Sequence, residues 1–87
     1  SRLDDDGGHD EPVPPCDFAA VLRDTVRDLQ PLAEKRALNL LADVPDDGVW
    51  VRAEREALRQ VAGNLIDNAL KYTPASGRVA VVLSSGV

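Results

Sequence analysis

The chain has 87 residues, 15 acidic against 10 basic side chains for a net charge of −5, one cysteine, one histidine and 3% aromatic residues. A chain of this size makes one small domain at most and buries only about 60–65% of its unfolded surface, so its stability is narrow. Without a basic patch and interleaved aromatics, nucleic-acid binding has no electrostatic footprint; a lone Cys16 excludes an internal disulfide, and no Cys/His cluster has zinc-ligand spacing, which fits a reducing cytoplasmic compartment.

The charge is uneven. Asp4, Asp5, Asp6, Asp10 and Glu11 stand beside a single Arg2 in the first twelve residues, leaving ten acidic and nine basic side chains for the remainder. Residues 1–15, with Pro12, Pro14 and Pro15, read as an acidic, proline-rich linker that ends in a short edge strand near Glu11 to Val13. No apolar run approaches the ~20 residues that span a bilayer, and Ser1 to Pro15 lacks the apolar region of a signal peptide, so direct membrane contact is not expected. His9, between Gly8 and Asp10, reads as a linker residue.

Asp17 is placed to cap a helix in which Phe18, Val21, Leu22, Val26, Leu29, Leu32 and Ala33 follow helical spacing, opposite Arg23, Asp24, Arg27, Asp28 and Glu34. Pro31 removes a backbone bond and crowds the Arg27 carbonyl, at about 3 kcal/mol in a regular helix, which predicts a kink or a break. Next, Leu38, Leu40, Ala42 and Val44 alternate with Asn39 and Asp43, and Val49, Val51 and Ala53 alternate with Arg52 and Glu54. With Pro45-Asp46-Asp47-Gly48 between them, these two strands read as a hairpin. Glu56 to Tyr72 predicts a second helix that ends before Pro74, and Gly77 to Leu83 a strand apolar on both faces, hence central. Cys16 and Trp50 read as packing residues, and Glu54 as a poorer cap than Asp.

The second helix carries an anomaly. At about 100° per residue, Asn64, Asn68, Lys71 and Tyr72 fall in one sector, while Leu58, Ala62, Leu65, Ile66 and Ala69 occupy the sector expected to face a core. Asn is roughly 0.5–0.7 kcal/mol worse than Ala inside a helix, so two of them four residues apart oppose local propensity. A solvated helix face is the plain reading of such a stripe; a ligand is the other. Asp67 and Gln60 read as solvated or packing residues.

The stretch Asn64-Leu65-Ile66-Asp67-Asn68-Ala69-Leu70-Lys71-Tyr72-Thr73-Pro74 resembles the N box of the sensor histidine kinases, whose ATPase superfamily includes the type II topoisomerase and heat-shock chaperone ATPases. Leu58-Arg59-Gln60-Val61 before it and Ala75-Ser76-Gly77-Arg78-Val79 after it are similar to the same family. Ser1-Arg2-Leu3 resembles the end of its dimerisation helices. The resemblance implies an α+β two-layer sandwich, with helices packed on one face of a small mixed sheet. It implies also that the strand around Val51 pairs with the N-terminal edge segment and the strand around Leu40 with the final strand. Residues 16–87 would then be the N-terminal part of the catalytic ATP-binding domain, and 1–15 the linker that follows the dimerisation region.

What the resemblance implies for chemistry is ATP with magnesium as cofactor. The Asn68 carboxamide would ligate the metal, Asn64 would hold its water shell or a phosphate oxygen, Lys71 would place an ammonium near the terminal phosphates, and Tyr72 would donate a hydrogen bond to the phosphate chain. The reaction implied is phosphoryl transfer to a histidine in two-component signal transduction, with the kinase's own histidine-containing dimerisation domain and a response regulator as partners, in the cytoplasm below a membrane-anchored parent. No phosphoacceptor histidine is expected here, because His9 lacks the acceptor box. The family's adenine-binding Asp-x-Gly-x-Gly box and glycine-rich lid would lie past Val87, so the 87 residues alone are expected to be inactive and to pair with a second copy through an unfinished sheet edge. A non-enzymatic interaction module and a related ATPase such as an anti-sigma serine kinase are the alternatives; Lys71-Tyr72-Thr73-Pro74 favours the sensor-kinase branch.

Overall fold

The structure, a computed structural model, describes residues 12–84. In chain order they form β1 (Pro15–Asp17), α1 (Phe18–Lys35), β2 (Asn39–Asp43), β3 (Trp50–Arg52), α2 (Arg55–Tyr72) and β4 (Arg78–Val82). The layout is the expected α+β one, but the strands form two separate pairs, β1 with β3 and β2 with β4. The acidic run, Ser1-Arg2-Leu3 and His9 lie outside the described residues.

Asp17 organises the first pair. Its carboxylate accepts the Ala19 N–H at 3.1 Å, which caps α1, and the Val49 N–H at 3.0 Å, which holds the start of β3 against the start of the helix. Gly48 sits there at φ +88°, and a Cβ on it would come within 2.9 Å of the Asp17 carboxylate, so only glycine lets the loop approach. Arg23 reaches across to donate to the Pro45 carbonyl at 2.7 Å. These contacts pull the 44–49 loop onto α1 and rule out the hairpin. β3 pairs antiparallel with β1, Cys16 opposite Val51, while β2 pairs parallel with β4, Leu40 opposite Val79. Glu11 lies outside the described residues, and the strand that pairs with β3 is Pro15–Asp17, two residues past Val13. Its first residue is a proline, which an edge strand tolerates because it needs no N–H there.

α1 runs through Pro31 without a break. Pro31 and Arg27 are both exposed, so the carbonyl that the proline leaves unpaired lies on the watered side. The helix stops in a Schellman motif, with Leu38 N–H bonded to the Ala33 carbonyl at 2.9 Å and Ala37 N–H to the Glu34 carbonyl at 3.0 Å. Ala37 takes the left-handed conformation, φ 58°, where glycine is usual. The exit of α2 docks beside it: Ser76 donates to the Ala37 carbonyl at 2.8 Å, and Asn39 to the Gly77 carbonyl at 3.0 Å. A Cβ on Gly77 would lie 2.6 Å from the Thr73 methyl, so that turn too admits only glycine.

The core joins the two helices to the parallel pair through Val26, Ala33, Leu38, Leu40, Ile66, Leu70 and Val79. Outside it, Asp24 pairs with Arg55 at 2.7 Å and Asp28 with Arg59, an i, i+4 ladder on one helix matched to an i, i+4 ladder on the other. Among the described residues β4 has a neighbour on one side only, and Val82 is 65% exposed.

Acid sensitivity follows from two of these carboxylates. The Val49 N–H, then the N–H groups of Ala20 and Ala19, hold the Asp17 carboxyl below its ordinary value against the opposing effect of burial. The Arg55 guanidinium does the same for Asp24. A carboxyl depressed in the folded state stabilises above its unfolded value, about 3.9 for Asp, and loses that contribution as pH falls through the folded value. The melting temperature is expected to be flat near neutral pH and to fall below about pH 4. Asp17→Asn, which keeps the cap acceptor but not the charge, should flatten part of that fall in pH-dependent thermal melts.

Candidate functional site

α2 begins without a side-chain cap, since Glu54 makes no cap hydrogen bond, and starts at Arg55, one residue earlier than the spacing predicts. Its end is better held: Thr73 N–H and hydroxyl both donate to the Ala69 carbonyl, at 3.1 and 2.7 Å. Between these ends the buried face is Ala62, Ile66 and Leu70. The ion-pair ladder to α1 fixes the helix's rotation about its axis, and so decides what the opposite face presents.

That face presents Asn64, Asn68, Lys71 and Tyr72, all exposed. Tyr72 is 80% exposed. None of the four side chains has a hydrogen-bond or ion-pair partner among the described residues. The stripe is therefore brought together on one face, as its spacing predicts, with one turn between Asn64 and Asn68, about 5–6 Å on a helix surface.

Leu65 does not behave as expected. Placed in the core sector by its spacing, it is 65% exposed, as Val61 is at 54%. Ile66 is buried and Ala69 partly so. The reason is that α2 overhangs β4, the last strand on that side among the described residues, so no further strand lies beneath Leu65. The overhang leaves an apolar groove of about 220 Å³ lined by Phe18, Leu22, Leu65, Ile66, Val79 and Val81. The polar stripe thus has an apolar shoulder, which the helical wheel does not reveal because it depends on how many strands lie below.

Asp67 is half-buried and Gln60 exposed. Trp50, expected to pack on the sheet, is 65% exposed; Cys16 is partly buried. Among the described residues no group of three or more His, Cys, Asp or Glu is placed to hold a metal. The donors on the stripe are of another kind: neutral amide oxygens beside an ammonium and a phenol. They suit magnesium that arrives with phosphates and waters, because that ion keeps much of its water shell and takes few protein ligands.

No protein-family model matches the chain. Among curated proteins it is similar to the adaptive-response sensory kinase SasA of Rippkaea orientalis, 42% identical over 65 residues that make 74% of this chain and 17% of that protein. SasA of Synechocystis sp. is 39% identical over 67 residues, 77% of this chain and 18% of the relative. Among solved structures the cytoplasmic segment of histidine kinase QseC superposes with a TM-score of 0.79 at 23% identity, over 95% of this chain and 54% of that one. The mycobacterial sensor histidine kinase MprB gives 0.69 at 25% identity, over 85% and 47%. The chain thus spans less than a fifth of the curated relatives' length and about half of those solved chains. The relatives it matches are sensor histidine kinases, and its fold is that of the N-terminal part of a histidine-kinase catalytic domain.

Proposed function

We propose that the exposed stripe of α2 is the metal- and phosphate-facing half of an ATP site, in a kinase that transfers the terminal phosphoryl of ATP to a histidine. The observation that carries this reading is a helix face of four polar side chains, exposed and, among the described residues, without protein partners, on a helix whose other face is clamped by core and ion pairs. Catalytic domains of histidine kinases generally use ATP with magnesium, which agrees with the donor set.

In phosphoryl transfer the protein contributes mainly position and charge stabilisation. The Asn68 amide oxygen serves as the metal ligand, and Asn64 fixes the water shell or a phosphate oxygen one turn away. Lys71 offsets negative charge at the terminal phosphates, and Tyr72 donates its phenolic hydrogen to the phosphate chain. Magnesium, when bound, supplies neutralisation of the charge on the transferring group. Residues 1–15 join this unit to the dimerisation region, the acceptor histidine comes from that region, and a response regulator takes the phosphoryl onward. A cytoplasmic setting is supported by the QseC segment, described as cytoplasmic, and among the described residues no helix is long and apolar enough to cross a membrane.

Lys71→Met separates this reading from a plain solvated face. In the kinase it should weaken Mg-ATP binding on the order of tenfold, the size of one charge-assisted contact to phosphate, and leave AMP binding unchanged. Calorimetry with both nucleotides reads the difference. Equal affinities for Mg-ATP before and after the substitution, or equal losses for both nucleotides, would take Lys71 away from the terminal phosphates.

A further inference from the structure

α2 is held unevenly along its length. Its buried residues, Ala62, Ile66 and Leu70, all lie past its first two turns, and those turns, residues 55–61, start without a side-chain cap. What joins them to α1 is two ion pairs, Arg55 with Asp24 and Arg59 with Asp28. Arg27 stands beside both carboxylates, 3.3 Å from that of Asp24 and 3.9 Å from that of Asp28. The acids are on α1 and their partners on α2, each rung one turn from the next. Both sets rise in step, so the two helices run in the same direction there.

We propose that Asp24, Asp28, Arg55 and Arg59 are positioning residues for phosphoryl transfer, setting the roll of α2 so that Asn64 and Asn68 present their carboxamides to the metal. This rests on the reading of the stripe as the metal- and phosphate-facing half of the site. One rung alone would let the helix pivot about it, whereas two, a turn apart, resist roll and slide together. Side chains reach about 5–6 Å from a helix axis, so a roll of about 10° carries a side-chain tip about 1 Å. A misplacement of about 1 Å can cost about 10²-fold in rate.

The pairs suit this role better than that of holding the fold together. All four side chains are partly exposed, and exposed ion pairs add little to stability. Burial of Ile66 and Leu70 draws α2 onto the core, but that attraction is non-directional. A hydrogen bond between guanidinium and carboxylate has a preferred geometry. Nor do the arginines belong to the stripe: at about 100° per residue, Arg55 and Arg59 lie roughly 140–180° around the helix from Asn64 and Asn68. They act through the helix and not on the ligand.

Arg55→Gln together with Arg59→Gln, made in the kinase with its acceptor histidine, shortens neither helix and removes both charges. The magnesium concentration for half-maximal autophosphorylation should rise on the order of tenfold, with the melting temperature within a few degrees of the parent. A merely structural role would lower the rate by one factor at every magnesium concentration, because fewer molecules are folded, and leave that midpoint in place. Crossing a rung, Asp28→Arg with Arg59→Asp, should restore the midpoint that Asp28→Arg alone shifts. An unmoved midpoint in the glutamine variant overturns the proposal. So does a melting temperature lowered by more than about ten degrees, which would make the pairs structural, or a crossed rung as impaired as Asp28→Arg alone. Asn68→Ala in the same assay separates the two levels. If it shifts the midpoint or abolishes the rate while the glutamine variant does not, only the positioning role falls; if neither has an effect, the reading of the stripe falls with it.

Discussion

Leu70→Ala is expected to leave the chain largely unfolded at 25 °C. Leu70 is 1% exposed and lies where α2 meets α1 and the parallel strands, against Val26, Leu40, Ile66 and Val79. Truncating a buried leucine costs about 2–5 kcal/mol, because apolar contact is lost and the cavity closes only in part. A single core in so small a domain supplies roughly 3–5 kcal/mol, so the loss consumes most of what there is. Far-UV circular dichroism and urea melts should show a weak or absent cooperative transition. A variant within about 1 kcal/mol of the parent would mean that α2 is not held by this core.

Asn68→Ala is expected to do the reverse, sparing the fold and removing the activity. The side chain is exposed and unpartnered among the described residues, and alanine is the better helix former by roughly 0.5–0.7 kcal/mol. The melting temperature should therefore stay or rise slightly. In the kinase with its acceptor histidine, magnesium-dependent phosphorylation should fall on the order of 10²-fold or more, the effect of removing one preorganised group that stabilises transition-state charge. Autophosphorylation near the parent rate by a folded variant would remove Asn68 from the mechanism.

Much of this was legible in the residues, and the exceptions share a cause. Helices, cap and stripe follow from local rules: Asp17 before an amphipathic run, Pro74 after one, four polar groups at helical spacing. Strand pairing does not. Alternation around Pro45-Asp46-Asp47-Gly48 reads as a hairpin because nothing local records that Asp17 and Arg23 bind that loop through Val49 and Pro45. The family resemblance supplied the correct partners where the local pattern did not. The α1 stop was hidden because Ala37, not glycine, takes the left-handed position. Pro31 was read as a breaker, yet its exposed setting lets the helix run through it. Leu65 was misplaced for a reason outside its own helix: among the described residues no strand lies below it beyond β4. The ladder of Asp24 and Asp28 with Arg55 and Arg59 went unread, although the matching i, i+4 spacings on the two helices are its signal.

The central claim is that the face carrying Asn64 and Asn68 meets the metal of a bound nucleotide, and manganese, which can stand in for magnesium and is paramagnetic, tests it most directly. In an amide-resolved NMR titration of the kinase's catalytic domain with ATP and trace manganese, broadening should centre on residues 64–72, strongest at Asn68 and Asn64, and fade toward Ile66 and Leu70 on the buried face. Broadening centred elsewhere, with Asn64 and Asn68 still sharp while nucleotide is bound, would contradict the account.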